Sequence, residues 1–303
     1  MPFSTIKLNN GTEIPGIGFG TWKIPVPEAV AQVDQALEVG FDHIDTAQTY
    51  GNEDQVGQAL KESGLSRSDV YITTKWSGTD GKGPVESLNE SLTRLNVSYV
   101  DLYLIHHPRL TGGDIPGIWK QFEQFVKEGK TKSIGVSNFS IDDLKVLLKH
   151  ANIRPVVNQI QLQPYDIGIT QPLLDFHKEQ NIVTEGYSTL VPLTSRPGGP
   201  VDKPVNEIAK RLGAKPEQVL LAWSKAKNAV ILSTSSKKSR LQDYLAVGDI
   251  DLTEEDVKAI DEAGIKGGPG RTGYKEYLRR AARATALGLI GFAAVRFVTA
   301  HLS

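Results

Sequence analysis

The sequence predicts an α/β protein, a (β/α)8 TIM barrel with an N-terminal β-hairpin and a C-terminal extension. Two observations carry this. Short apolar runs alternate along the chain with segments of helical length, as parallel strands covered by helices do. Three successive runs also close on ionisable residues. Phe41-Asp42-His43-Ile44-Asp45 is followed by Tyr50, Val70-Tyr71-Ile72-Thr73-Thr74 by Lys75, and Val100-Asp101-Leu102-Tyr103-Leu104-Ile105 by His106. In a parallel α/β protein the carboxyl ends of the strands form the catalytic face.

The elements follow in order. Ile6 to Ile14 reads as a hairpin around the Asn10-Gly11 turn. Barrel strands are expected at 16–19, 41–46, 70–75, 100–106, 132–137, 155–161, 182–187 and 229–233. Helices are expected near 27–39, 52–63, 84–95, 117–128, 140–149, 170–180, 204–226 with a break near Gly213, and 238–246. Pro27, Pro84 and Pro216 suit first-turn positions, and Ser140 and Thr253 suit N-caps. Eight βα units occupy about 230 residues, near the usual ~250 of such barrels. A doubly wound sheet is the alternative. It would carry Gly-x-Gly-x-x-Gly after its first strand, and Gly16-Ile17-Gly18-Phe19-Gly20-Thr21 lacks that spacing. Residues 194–204 read as a long loop on the catalytic face, and 264–274 as a Gly-rich linker.

Composition narrows the function classes. The 303 residues carry 34 basic and 35 acidic side chains, a formal net charge of −1. That gives no basic footprint for nucleic acid, so no nucleic-acid partner is expected. The absence of cysteine excludes disulfides and thiolate metal sites, and no metal site is expected. The N-terminus has no apolar core of a secretory signal, which points to a cytoplasmic protein.

A carboxylate, a phenol, an amine and an imidazole on one rim suit proton delivery. Tyr50 is the candidate general acid. Lys75 as a nearby cation is expected to depress its pKa, by about 2 units from ~10. Asp45 is expected to hold Lys75 charged, and His106 to orient a carbonyl oxygen. Each residue alone has a plainer reading as packing, a structural ion pair or a satisfied polar group. Barrel topology gives the combination its weight.

These motifs resemble the aldo-keto reductase signature. Gly40 to Ala47 with Tyr50-Gly51-Asn52-Glu53 match it first. Ile72 to Trp76, Leu102 to His106 and Gly135-Val136-Ser137-Asn138-Phe139 continue it over roughly residues 5–262. The resemblance implies NADPH-dependent reduction of carbonyl compounds, with Asp45, Tyr50, Lys75 and His106 in the catalytic positions. It implies that Ser137, Asn138 and Gln159 hold the nicotinamide carboxamide and that Tyr187 stacks on the ring, with Thr21, Ser188 and Leu190 also at the cofactor. Where most relatives have Ile-Pro-Lys-Ser, this chain has Ile231-Leu232-Ser233-Thr234-Ser235-Ser236-Lys237. Thr234, Ser235, Ser236, Lys237 and Arg240 are then the expected 2′-phosphate site. This version, with 267–277, resembles the fungal branch of conjugated polyketone and ketopantoyl-lactone reductases.

Trp22, Trp76, His107 and Leu110 are expected to line the substrate pocket. His107 stands where relatives carry tryptophan, so one wall is less apolar. Aromatic walls suit conjugated or hydrophobic carbonyls, and activated α-dicarbonyls are the preferred class. The alternatives are an aldose- or xylose-type aldehyde reductase, or a redox-sensing NADPH-binding subunit of a membrane complex. A Schiff-base aldolase using Lys75 is disfavoured by the Asp45 pairing. A monomer or weak dimer is expected.

Residues 1–278 are assigned to the barrel and 279–303 to an apolar tail with a basic flank, Arg279, Arg280 and Arg283. The uncharged run from Ala284 to Val295 is shorter than the ~20 residues of a membrane span. Extension to Leu302 approaches that length but includes Arg296. A short membrane anchor facing the cytosol and an amphipathic or disordered tail both stay open.

Overall fold

The structure is a computed structural model that describes residues 3–268. A short hairpin comes first. Strands β1 (Thr5–Lys7) and β2 (Glu13–Pro15) pair antiparallel with Ile6 opposite Ile14. Its turn closes where the Leu8 N–H donates to the Thr12 carbonyl at 2.8 Å, with Gly11 at φ 87°, in the left-handed region that glycine tolerates. Leu8 and Ile14 are buried against Leu102, Leu104, Val157 and Val230, so the hairpin plugs the bottom of the barrel. The Asn9 amide donates to the Pro155 and Asn181 carbonyls at 2.9 and 3.0 Å and fixes the plug in place.

The chain then alternates. β3 (Ile17–Gly20), α1 (Val26–Val39), β4 (His43–Asp45), α2 (Glu53–Glu62), β5 (Tyr71–Trp76), α3 (Pro84–Leu95) and β6 (Val100–Ile105) form the first part. Next are α4 (Ile115–Lys127), β7 (Thr131–Ser137), α5 (Ile141–His150), β8 (Val157–Gln161), α6 (Ile167–Glu179) and β9 (Val183–Tyr187). A helical turn α7 (Val191–Thr194), α8 (Asp202–Leu212), α9 (Pro216–Ala226), β10 (Ala229–Ser233), α10 (Lys238–Leu245) and α11 (Glu254–Gly267) complete it. Strands β3 to β10 are all parallel and close into a barrel, with Ile231 of β10 opposite Ile17 of β3. Closure removes the doubly wound alternative, because an open sheet keeps two edges.

Local chemistry explains the boundaries. Pro84 and Pro216 open α3 and α9, and Pro27 sits in the first turn of α1, where a missing N–H breaks no helical bond. Ser140 and Thr253 cap α5 and α11 through reciprocal boxes with Asp143 and Asp256. The break at Gly213, φ 63°, separates α8 from α9. Two expectations are corrected. The loop at 194–204 is shorter, because α7 ends at Thr194 and α8 begins at Asp202, with Pro204 in its first turn. The linker at 264–274 starts later, because α11 runs to Gly267. The remainder of that linker and the 279–303 tail lie outside the described residues. Among the described residues no helix is long and apolar enough to cross a membrane.

Apolar side chains fill the space between strands and helices. Tyr103 of β6 stacks on Phe122 of α4, centroids 4.9 Å apart, and Trp119 stacks on the same ring at 5.9 Å. The barrel interior is polar at mid-height, and glycine makes room for it. A Cβ on Gly18 would lie 2.7 Å from His43 Nδ1.

Candidate active site

The site is assembled by the strand ends. Asp45 ends β4, Lys75 is the fifth residue of β5, and His106 directly follows β6. Tyr50 closes a tight 3-10 turn, Gln48–Tyr50, after β4. Asn52 fixes that turn. It is wholly buried, and its amide donates to the Thr21 and Ile24 carbonyls at 2.9 and 3.3 Å, tying the loop after β3 to the loop after β4.

Lys75 is wholly buried and all three of its N–H donors are placed. They go to Asp45 Oδ1 at 2.6 Å, the Thr46 carbonyl at 2.9 Å and the Tyr50 hydroxyl oxygen at 3.3 Å. Because the Tyr50 oxygen accepts from Lys75, its own hydrogen is directed elsewhere. The Tyr50 ring meets His106 edge to face, centroids 5.7 Å apart. His106 Nδ1 lies 2.8 Å from Ser77 Oγ.

Electrostatics follow from burial. Burial alone would lower the Lys75 pKa, but Asp45, then Tyr50, outweigh it and the net shift is upward. Burial pushes Asp45 up while Lys75 and Gln159 oppose it. The ammonium at 2.6 Å keeps the pair ionic at neutral pH, since either charge alone would stand uncompensated in the interior. Burial, with Lys75 nearby, holds His106 well below its ordinary range, so its ring is neutral. The expected depression of Tyr50 is not found. Burial pushes the phenol up, Lys75 pulls it down, Asp45 adds to the rise, and the net direction is upward. Tyr50 therefore keeps its proton at neutral pH.

A second cluster adjoins the first. Ser137 Oγ donates to the Gln159 carbonyl at 2.9 Å. Asn138, at φ 63°, donates through Nδ2 to the His106 carbonyl and to Ser137 Oγ, both at 3.0 Å, and its Oδ1 accepts from the Tyr187 hydroxyl at 2.8 Å. Gln159 Nε2 donates to Asp45 Oδ2 at 2.9 Å, which leaves its carbonyl as the acceptor. Thr21 is wholly buried, its hydroxyl 2.9 Å from Thr46 Oγ1. Ser188 is at φ 63°, and its carbonyl accepts from Val191 N; Leu190 precedes α7.

The loop after β10 is separate from these clusters. Ser235 Oγ accepts from the Lys237 N–H at 3.1 Å, and Gln35 of α1 donates to the Ser236 carbonyl at 3.2 Å. Thr234, Lys237 and Arg240 are exposed, and neither Lys237 nor Arg240 joins an ion pair among the described residues. Of the expected pocket walls, Trp22 is 51% exposed, with Lys23 Nζ 4.2 Å from its ring centroid. His107 and Leu110 are half-buried. Trp76 is only 4% exposed: it packs toward Phe122 and donates to the Lys82 carbonyl, so it offers the site little surface.

The pattern of the aldo/keto reductase family matches residues 16–265. This chain belongs to the aldo/keto reductase family. Aldehyde reductase YPR1 of Saccharomyces cerevisiae is 36% identical over 291 residues, covering 85% of this chain and 89% of its own. Methylglyoxal reductase DkgA of Salmonella typhimurium is 37% identical over 256 residues, covering 84% of this chain and 91% of its own. The crystal structure of a Bombyx mori aldo-keto reductase in complex with NADP superposes with a TM-score of 0.80 at 31% identity, over 86% of this chain and 92% of that one.

Sequence reasoning missed several residues that shape this reductase site. Asn52 was legible only as part of the Tyr-Gly-Asn-Glu motif. Ser77 gives no signal, because nothing in the sequence pairs it with His106. Glu185, wholly buried on β9, accepts from Gln159 at 2.7 Å. A carboxylate in the middle of a buried strand was the available sign.

Proposed function

We propose that Tyr50 is the proton donor of this NADPH-dependent carbonyl reductase, and that activated ketones and α-dicarbonyls are its preferred substrates. The observation that carries the reading is the placement of all three Lys75 donors, with the third on Tyr50 oxygen at 3.3 Å. NADPH when bound supplies the hydride, which ends on the carbonyl carbon. Tyr50 gives its proton to the carbonyl oxygen as negative charge develops there. Lys75 steadies the phenolate left behind, Asp45 positions Lys75, and neutral His106 orients the oxygen. A carboxamide needs donors and acceptors together: the side-chain oxygens of Asn138 and Gln159 can accept, and the Ser137 hydroxyl would supply a donor by exchanging the Gln159 carbonyl for the ligand. Tyr187 offers a ring face, and Thr21, Ser188 and Leu190 complete that side.

The 2′-phosphate is assigned to the loop of Thr234, Ser235, Ser236, Lys237 and Arg240. Their exposure and lack of ion pairs among the described residues leave Lys237 and Arg240 available to an anion. The substrate class rests on the walls. Burial, then Arg109, lowers His107 to about 4, so it is neutral, and with Trp22 and Leu110 it is assigned to the substrate walls. The name of the related methylglyoxal reductase describes an α-oxoaldehyde substrate, which agrees. Within the family, the 234–240 sequence favours the conjugated polyketone reductase branch.

The test is a carbonyl panel followed by cofactor oxidation, with NADPH and NADH, in the wild type and Arg240→Ala. 1,2-Diketones should give the highest kcat/KM and aldoses the lowest; the reverse order returns the aldose-type reading. Arg240→Ala should weaken NADPH by about 10–100-fold, as for a charged hydrogen bond of 1.5–3 kcal/mol, and leave NADH nearly unchanged. Equal losses would place the phosphate elsewhere.

We place catalysis in the cytoplasm, by a monomer or weak dimer, and assign membrane association, where it occurs, to residues 279–303. A chain ending at Arg279 should keep kcat/KM. If the tail is an anchor, full-length protein should pellet with vesicles and the shorter chain should not; full-length protein wholly in the supernatant ends the anchor reading.

A further inference from the structure

Beneath the Asp45–Lys75 pair lies a second buried acid that the mechanism above does not use. Glu185 stands mid-strand on β9, wholly buried. One nitrogen, Gln159 Nε2, donates both to Glu185 Oε2 at 2.7 Å and to Asp45 Oδ2 at 2.9 Å, so a single amide bridges two carboxyls. Asp45 has an ammonium beside it. Among the described residues Glu185 has only His43 within ion-pair distance, its Nε2 lying 3.7 Å from Oε1. Burial drives that imidazole down to about 3, so it is neutral. Glu185 Oε1 and His43 Nδ1 have no hydrogen-bond partner among the described residues.

The ionisable groups facing Glu185 are His43 and Asp45 from β4, Tyr71 and Lys75 from β5, and Tyr50 from the turn after β4. Strand β8 presents Gln159, and Val230 of β10 is the register partner of Glu185. An ionised Glu185 would be a second buried negative charge beside a single ammonium, Lys75, that already pairs with Asp45, which is strongly disfavoured. Burial, then Asp45, raises its pKa to about 8. Tyr71 is pushed far above its ordinary range. Glu185 is therefore the group in this layer that changes charge just above neutrality.

We propose that Glu185 is a positioning residue for carbonyl reduction, fixing Asp45 through Gln159 and changing, by its own protonation, how readily Tyr50 releases its proton. The inference rests on Tyr50 as the acid. The sign follows from charge. Neutral Glu185 leaves the Asp45–Lys75 pair undisturbed. Ionised Glu185 adds a negative charge that raises the pKa of both Lys75 and Tyr50. The phenol then holds its proton more tightly, and turnover falls as pH rises through about 8.

The experiment measures kcat for a 1,2-diketone at saturating NADPH from about pH 6 to about pH 9.5. It compares the wild type with Glu185→Gln and Glu185→Leu. The wild type should lose about three- to tenfold across a limb centred near pH 8. Glu185→Gln keeps an acceptor for Gln159 but cannot ionise, so that limb should vanish. Glu185→Leu leaves a Gln159 N–H unpaired and should lower kcat about tenfold at every pH. A Glu185→Gln profile matching the wild type overturns the proposal, as does a Glu185→Leu enzyme changed only in Tm. If Glu185→Leu does not fold, the Gln variant decides. Tyr50→Phe in the same assay separates the two readings. Retained turnover there removes the acid assignment itself, whereas an inactive Tyr50→Phe with an unmoved Gln limb removes only the role of Glu185.

Discussion

Tyr50→Phe is expected to lose about 10²–10⁴-fold in kcat on a ketone while binding NADPH nearly as well as the wild type. The change removes one oxygen and keeps the ring, so the edge-to-face contact with His106 at 5.7 Å survives. Lys75 loses one of three acceptors but keeps Asp45 Oδ1 and the Thr46 carbonyl, and the buried ion pair stays intact. The variant should therefore fold normally, and its defect should lie in kcat rather than in cofactor affinity. Steady-state kinetics with quenching of protein fluorescence by NADPH reads both. Retention of more than about a tenth of kcat contradicts a proton donor worth 10²–10⁴.

The four residues of this site were legible because barrel topology makes strand ends meaningful. Asp45, Lys75 and His106 each close an apolar run, and Tyr50 follows within a short turn. The barrel strands themselves could be drawn closely, since short runs rich in apolar residues alternate with segments of helical length. What stayed hidden depends on distance and burial. The bond from Gln159 to Asp45 joins residues 114 apart in sequence, and no local pattern announces it. Glu185 reads as a polar residue in a strand until the barrel closes over it. The same holds for the direction of the Tyr50 pKa. The meeting of strand ends on one rim places Lys75 near the phenol and suggests a fall, whereas burial, which only the folded chain supplies, turns it upward. Trp76 reads as a pocket wall from its place at the carboxyl end of β5, and its packing against Phe122 is decided by α4.

Lys75→Met should be as damaging to kcat as Tyr50→Phe, and it should also destabilise the fold. Removing the ammonium strands the Asp45 carboxylate in a dry interior, and breaking a buried pair costs about 3–5 kcal/mol. Asp45 then holds a pKa raised by burial without the opposing cation. An acid whose folded pKa exceeds its unfolded value contributes stability that is full below the unfolded value, ~3.9, and is lost as pH rises through the folded one. The Tm deficit of Lys75→Met should therefore shrink toward acid pH, and urea or thermal melts across pH will read it. Activity must be separated from stability, and Lys75→Met with Asp45→Asn does so. The double variant has no stranded charge, so most of the stability should return while kcat stays low. Without the cation the Tyr50 phenol should titrate higher still, since Lys75 is the group pulling it down. A double variant that recovers wild-type turnover, or a single variant with an unchanged pH–rate profile, would falsify the pairing of Lys75 with Tyr50.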